Sequence, residues 1–501
     1  MAPREIGAAT DQRDELARQF AVRVVERLRQ AGYEAYWAGG CVRDMLLGLT
    51  PHDYDVATSA RPEEVQRLFR RTVAVGASFG VVEVIGPKVD GERLKVQVAT
   101  FRREGPYSDG RHPDSVTFTT AAEDAQRRDF TINGLFYDPL RGEVLDYVGG
   151  QRDLQARLLR AIGNPYERFE EDKLRMLRAV RLAAQFQLTI ETTTATAIRQ
   201  LAEQIRVVSA ERIAEELRRL LVHPRRRQGL ELLHELHLLP AVLPEVSAMP
   251  HFDVPTELPT DHGMQSQSPH SAASVTALER NSAVGALWQH TLRVLELLRE
   301  PTFPLALAAL FHDAGIMHVP PQRDHASADA DASATVVTHR RLSESVRYPD
   351  HEKVGARLVE QAGRRLRLSN AEWQRAAWLV AHHHALDAPW DLPAHRLKPL
   401  LAQVAIGELL ALVEADASAD GRSLAHVQFC RDKLRTWPPQ VLNPPPLITG
   451  DDLIALGLKP GPAFGRILQR IRDAQLDEIL QTREQALALA QQLVQETKTT
   501  S

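Results

Sequence analysis

The sequence predicts an α+β protein: a head with a mixed β-sheet over residues 1–150, followed by segments that are almost wholly helical. Three observations carry this. Short apolar runs with two-residue alternation are interleaved with helical runs between residues 35 and 145. From about residue 150 onward, apolar residues recur three and four apart and strand signals vanish. Two stretches rich in Pro, Ser, His and Gln, at 250–285 and 320–350, interrupt the helical pattern. The reading that follows is a head (1–150), a helical neck (151–248), a flexible linker (249–285), a helical domain with an insertion of low order near 320–350 (286–440), and a helical tail (441–501).

In chain order, Leu16, Phe20, Val24, Val25 and Leu28 fall at helical spacing within residues 1–34. Tyr36-Trp37-Ala38 reads as a short buried strand running into Gly39-Gly40, and Val42 to Leu47 as the first turns of a helix. Asp53-Tyr54-Asp55 with Val56-Ala57-Thr58 reads as a second strand. Val81–Ile85 and Leu94–Val98 look like neighbouring strands joined by a polar hairpin near Asp90-Gly91. At the far end, Ala486, Leu487, Leu489, Ala490 and Leu493 form an apolar helical stripe.

Composition sets the limits. A chain of 501 residues with 44% hydrophobic and 25% charged residues is an ordinary globular protein of several domains. Two cysteines, Cys41 and Cys430, make no disulfide framework, which fits a reducing cytoplasm. No run of about 18 apolar residues is present and residues 1–13 lack the apolar core of a signal peptide, so neither a membrane nor export is expected. The net charge of −4 does not mark a nucleic-acid binder, but residues 151–230 carry 16 Lys+Arg against 10 Asp+Glu, ending in Arg225-Arg226-Arg227. Such a local basic surface suits an RNA backbone.

The segment Gly39-Gly40-Cys41-Val42-Arg43-Asp44, followed by Asp53-Tyr54-Asp55, points to chemistry. Glycines let the backbone approach a phosphate, and a helix N-terminus there favours anions. Two aspartates one residue apart on a strand share a face, and hard carboxylates suit Mg²⁺ carrying nucleotide phosphates. With Ala57-Thr58, Arg127-Arg128-Asp129-Phe130-Thr131-Ile132-Asn133, Glu171-Asp172-Lys173-Leu174-Arg175, Glu211-Arg212-Ile213 and Pro446–Leu453, the chain resembles the class II tRNA nucleotidyltransferase/poly(A) polymerase family.

That resemblance implies a polymerase-β-like nucleotidyltransferase head. It makes Asp53 and Asp55 the catalytic Mg²⁺ ligands. Gly39, Gly40, Arg43, Arg111, Arg128, Asp129, Asn133, Asp172, Arg175 and Arg178 become nucleotide-binding residues. The arginines serve phosphates, and Asp129 and Asn133 ribose hydroxyls. A flexible loop at 102–115 is expected to help switch the site from C to A. Asp172 and Arg175, three apart on a predicted helix and so on one face, are the expected protein template. A carboxylate accepts and a guanidinium donates, so the pair suits the Watson–Crick edges of C and A and rejects those of U and G. The family usually places a third acid where this chain has Gln97. Either two aspartates suffice, or Glu83 compensates, or activity is reduced.

His290, His312-Asp313, His351, His382-His383-His384 and Asp416 form a second ordered set. It resembles the HD metal-dependent phosphohydrolase superfamily. The resemblance makes His290, His312, Asp313, His351, His382 (or His383) and Asp416 candidate ligands for a transition metal such as Ni²⁺, Mn²⁺ or Fe²⁺. The expected function is addition of C and A to tRNA 3′ ends from CTP and ATP, with an accompanying phosphohydrolase. The alternatives are poly(A) polymerase, an enzyme adding only the A, and a phosphohydrolase with a weakened head.

Overall fold

The computed structural model describes residues 6–76, 80–105, 115–252, 285–323 and 346–499. They fall into two compact units, Met1–Pro244 and Glu245–Ser501. Arg111 and most of the loop around it lie outside the described residues, as do nearly all of 249–285 and the larger part of 320–350.

The first unit opens with helix α1 (Ile6–Gln30) and then β1 (Ala35–Ala38), α2 (Gly40–Leu46), β2 (Asp55–Thr58), α3 (Pro62–Leu68), β3 (Thr72–Gly76), β4 (Val81–Val89) and β5 (Glu92–Thr100). A small pair, β6 (Arg102–Glu104) and β7 (Val116–Phe118), precedes α4 (Ala121–Gln126), β8 (Leu135–Asp138) and β9 (Glu143–Asp146). Seven strands make one sheet in the order β3-β4-β5-β2-β1-β8-β9. Only β2 and β5 run parallel; every other pairing is antiparallel, so the sheet is mixed. Strand alternation sends Trp37, Val56, Val82, Val84, Val96 and Val98 to one face, where Ala21, Val24, Val25 and Leu28 of α1 cover them. Ala38, Ala57, Phe101 and Phe136 go to the other face and pack with Ala121 and Ala125 of α4. Asp90 and Gly91, both at positive φ, turn β4 into β5.

The unit continues with α5 (Gly150–Gln155), β10 (Leu158–Leu159), α6 (Pro165–Glu171), α7 (Leu174–Phe186), β11 (Thr189–Ile190), α8 (Thr192–Leu201), α9 (Ala210–Val222), α10 (Arg226–Glu235) and α11 (Leu239–Val242). Helix α7 buries Met176, Leu177, Val180, Ala183 and Ala184. Arg175, Arg178, Arg181 and Gln185 recur three and four apart on its opposite, cleft-facing side.

The second unit is helical. Its helices include Ala286–Leu297, Phe303–Phe311, His351–Arg365, Asn370–His382 and Ile406–Ala419. A separate small core near the C-terminus joins Ile448, Leu453, Ile467, Ile471, Ala486, Ala490 and Leu493. No described helix is long and apolar enough to cross a membrane. One contact in this unit has no slack. A Cβ on Gly315 would lie 2.0 Å from the His351 carbonyl oxygen and 2.9 Å from the Gly355 nitrogen. Gly315→Ala is therefore expected to destabilise this unit by about 1–3 kcal/mol, read as a lower denaturant midpoint. An unchanged midpoint would mean that the backbone there gives way freely.

Candidate nucleotide cleft and metal centre

The first unit carries a cleft of about 870 Å³. It gathers Gly39, Gly40, Arg43, Asp53, Asp55, Arg128, Asp129, Asn133, Asp172, Arg175 and Arg178, residues separated by up to 139 positions in sequence. Gly39 has φ +76°, and a Cβ there would sit 2.9 Å from Arg128 Nη1, so glycine lets that guanidinium lie over the loop.

Asp53 and Asp55 both face the cleft, but not as two residues of one strand. Strand β2 begins at Asp55, and Asp53 lies in the bend before it. Alternation still holds, because Tyr54 between them is buried against Trp37. Neither carboxylate makes an ion pair or hydrogen bond among the described residues. Burial pushes the Asp55 carboxyl up; Arg128 opposes this and Asp53 adds to it. Two unpaired carboxylates side by side fit a hard divalent cation. Gln97 is the direct neighbour of Asp55 across β2 and β5, and Glu83 opposes Gln97 one strand further out. Glu83 is ion-paired with Lys95 at 3.2 Å, and neither Gln97 nor Glu83 lines the cleft.

The cleft's arginines are held by acids. Arg43 donates to Asp44 and to Asn133 Oδ1 (2.7 Å), and its guanidinium lies 4.1 Å from the centre of the Phe186 ring. Arg128 and Arg127 both donate to the buried Asp124, and Glu104 joins Arg127 to Arg102. Arg178 grips Asp129 Oδ2 with Nε and Nη2 at 3.0 and 2.7 Å, while Asn133 Nδ2 donates to Asp129 Oδ1. Arg181 is held by Glu216 of α9. Arg102, Glu104, Arg127, Arg181, Arg212, Arg219 and His223 line the cleft beyond the expected set. Helical spacing from Arg175 and Arg178 points to Arg181, and Arg102 closes the run Gln97-Val98-Ala99-Thr100-Phe101-Arg102, whereas no local pattern singles out Glu104.

Burial pushes the Asp129 carboxyl up, but Arg178, with Asn133 and Arg175, more than reverses it and leaves it at about 2, against an ordinary 3.8. A depressed carboxylate adds stability above its unfolded pKa and loses it as pH falls through the folded value. Asp129→Asn is therefore expected to cost about 2 kcal/mol at neutral pH. The gap to the parent closes between about pH 4 and 2, as urea unfolding at several pH values would read. A gap constant with pH would show the effect to be packing.

The expected template pair needs correction. Asp172 and Arg175 do not share one helix face. Helix α6 ends at Glu171, Asp172 is extended (φ −148°), and α7 starts at Leu174. Asp172 accepts the Leu174 N–H and is held bidentately by Arg212 at 3.2 and 2.7 Å. Arg175 donates to the Arg168 carbonyl and pairs with Glu171. Both side chains nonetheless line the cleft, each oriented by a different partner.

The second unit brings the histidine set together in two groups: Asp313 with His351, His383 and His384, and His290 with His312 and Asp416. Ligand atoms within each group lie within 4.8 Å of one another. Asp313 spans both, with Oδ1 3.3 Å from His351 Nε2 and 3.6 Å from His383 Nε2, and Oδ2 3.3 Å from His312 Nε2. His382 takes no part, contrary to expectation. It ends the helix Asn370–His382, stacks on Trp378 and turns Nδ1 to the Trp378 carbonyl, while His383 and His384 point inward.

Nδ1 of His312, His351 and His383 lies 2.7–2.8 Å from the carbonyl oxygens of Ala309, Tyr348 and Val380. Nδ1 of His384 faces Asp387, and Nδ1 of His290 faces Asp420. Donation there leaves each Nε2 lone pair for the interior. Nε2 of His351 and of His383 is buried without a hydrogen-bond partner. Buried imidazole nitrogens left without partners, converging on a carboxylate, fit a divalent transition metal.

The fold and cleft define a class: a sheet-based nucleotidyltransferase-type head with two unpaired aspartates facing an arginine-lined wall, joined in sequence to a histidine-rich helical domain. Comparison with known proteins agrees. Residues 35–160 match the "Poly A polymerase head domain", 187–249 the "Probable RNA and SrmB-binding site of polymerase A", and 287–406 the "HD domain". Over these spans the first unit is similar to the head and RNA-binding regions of poly(A) polymerases, and the second unit to the HD domain. It is 46% identical over 231 residues to a CCA-adding enzyme of Lacticaseibacillus paracasei, covering 46% of this chain and 56% of that one. It is 43% identical over 229 residues to a CCA-adding enzyme of Geobacillus kaustophilus, covering 46% and 55%. The chain thus spans about half the length of the curated relatives it matches. Among solved structures, the Bacillus stearothermophilus CCA-adding enzyme in complex with CTP superposes with a TM-score of 0.66 at 25% identity, covering 97% of this chain and 99% of that one.

Proposed function

We propose that this chain adds C and A to the 3′ ends of tRNA from CTP and ATP, releasing pyrophosphate, and that it does so in the cytoplasm. The observation that carries this is the single cleft in which the unpaired Asp53 and Asp55, the arginine wall and the pair Asp172 and Arg175 face one another. Mg²⁺ held by Asp53 and Asp55 would supply Lewis-acid stabilisation for the attacking and leaving oxygens. Arg128 and Arg178 orient the triphosphate, Asp129 and Asn133 the ribose, and Asp172 and Arg175 read the base edge. The relatives' names, and the CTP bound in the similar structure, support the substrate class. Two buried free cysteines support the compartment.

The test uses three tRNAs ending before CCA, after C and after CC, each with labelled CTP, ATP or both. Growth that stops at CCA is expected. Long A tails on any RNA would assign a poly(A) polymerase instead, and addition of A alone an A-adding enzyme. No incorporation with Mg²⁺ would overturn the reading.

The convergent imidazoles favour a second activity. We propose that the HD centre holds two divalent transition ions, such as Ni²⁺, Mn²⁺ or Fe²⁺, and hydrolyses phosphate esters or cyclic phosphates. The ligands are His290, His312 and Asp416 on one side and His351, His383 and His384 on the other, with Asp313 between. Phosphatase activity that survives Asp53→Ala and is lost in Asp313→Ala supports it; activity retained in Asp313→Ala overturns it.

A further inference from the structure

We propose that Asp420 is a positioning residue for the HD centre, fixing two of its ligands, His290 and Asp416, at once. The inference rests on the metal-centre reading above. Asp420 stands at the C-terminal end of the helix Ile406–Ala419, one turn beyond Asp416. Residues four apart at a helix end face the same side, which brings both carboxylates to His290.

Four side chains close a ring. Asp420 Oδ1 is 3.0 Å from His290 Nδ1. His290 Nε2 is 3.0 Å from Asp416 Oδ1. Arg422 Nη2 donates to Asp416 Oδ2, and Arg422 Nε lies 3.3 Å from Asp420 Oδ2, an ion pair without hydrogen-bond geometry. The ring assigns every outward-facing atom. Asp420 accepts the hydrogen bond of His290 Nδ1–H and so leaves Nε2 as the ligand atom. Arg422 occupies the outer oxygen of Asp416 and so leaves Oδ1 for the centre. Asp420 is kept back from the centre because its own two oxygens are engaged by His290 and Arg422.

The other inward imidazoles show why this acid is needed. His312, His351 and His383 are oriented by carbonyls of their own helical turns, which any sequence supplies. His290 and His384 are oriented by carboxylate side chains, Asp420 and Asp387. The two acids differ in setting. The Asp420 side chain is 19% exposed and sits in the ring, whereas Asp387 is 47% exposed. Water can replace Asp387 more readily than Asp420. Orienting acids behind metal-bound histidines typically contribute about 10- to 100-fold in affinity.

The experiment strips the full-length protein of metal with a chelator and titrates Mn²⁺ and Ni²⁺ into parent, Asp420→Asn and Asp387→Asn, reading affinity by competition and the Mn²⁺ site by its EPR spectrum. The expected result is a loss of about 10- to 100-fold in Asp420→Asn with an altered spectrum, and a smaller loss in Asp387→Asn. Asp420→Glu, which keeps the charge, should recover part of the affinity. If the parent binds neither metal, the centre itself is wrong. If the parent binds and Asp420→Asn binds equally well with the same spectrum, the ring has no positioning role. Should Asp420→Asn fail to fold, Arg422→Lys, which keeps charge but loses the second ring contact, is expected to weaken binding. Unchanged affinity there overturns the proposal.

Discussion

Asp55→Asn removes nucleotide addition, by about 10³-fold or more, while the protein stays folded and no less stable than its parent. The two halves of this expectation come from one observation. Asp55 has a raised pKa because burial and Asp53 disfavour its charge, with only Arg128 opposing. Its carboxylate makes no ion pair or hydrogen bond among the described residues, so the fold gains little from it. Asparagine keeps the shape, removes the repulsion and abolishes a hard anionic ligand. Extension of a tRNA lacking CCA, with a urea melt on the same sample, checks both. Near-normal extension would remove Asp55 from the cation site. A collapse in stability would mean the carboxylate serves the fold.

Arg175→Ala is the second large effect, and it falls on choice rather than speed. We expect misincorporation of U and G relative to C and A to rise by about 10- to 100-fold, with a much smaller change in affinity for CTP. The structure sharpens the reason. Asp172 is oriented by Arg212 and not by Arg175, so the carboxylate stays in place when Arg175 is cut back. In the proposed template the carboxylate then still accepts from an amino group, but the Arg175 donors beside it are gone. Arg212→Ala is the counterpart: it frees Asp172 and should relax selection by a different route. Parallel single-turnover assays with all four nucleotides measure this. Selection that stays at the parental level in Arg175→Ala would sink the template role.

The head was legible because its signals are local. Gly39-Gly40 before a helix and Asp53-Tyr54-Asp55 before a strand each state their geometry within a few residues. The alternation from Val81 to Val98 fixes a hairpin without reference to anything distant. Legibility failed where a distant partner overrides local preference. Glu171-Asp172-Lys173-Leu174-Arg175 reads as continuous helix, yet Asp172 breaks it because its carboxylate is held by Arg212, 40 residues on, and caps the Leu174 amide. His382-His383-His384 posed a different problem. Each residue turns a helix by about 100°, so the choice among three neighbours is one of phase. Trp378, stacked on His382, settles the phase against it. Asp420 carried no signal at all, since a carboxylate one turn beyond a ligand looks like any solvated helix end.

The arginine wall has a consequence for leaving rather than arriving. Nine arginines line the cleft among its described residues, with six carboxylates, an excess of only three positive charges. Most of those arginines already have an acid to hold them, and a phosphate that enters must compete with it. The same acids wait to take the arginines back when the phosphate goes. A wall of unpaired cations would clutch pyrophosphate as firmly as it clutched the triphosphate, and stall after one addition. A wall with its own counter-charges resets itself, as the proposed addition of several nucleotides to one end requires.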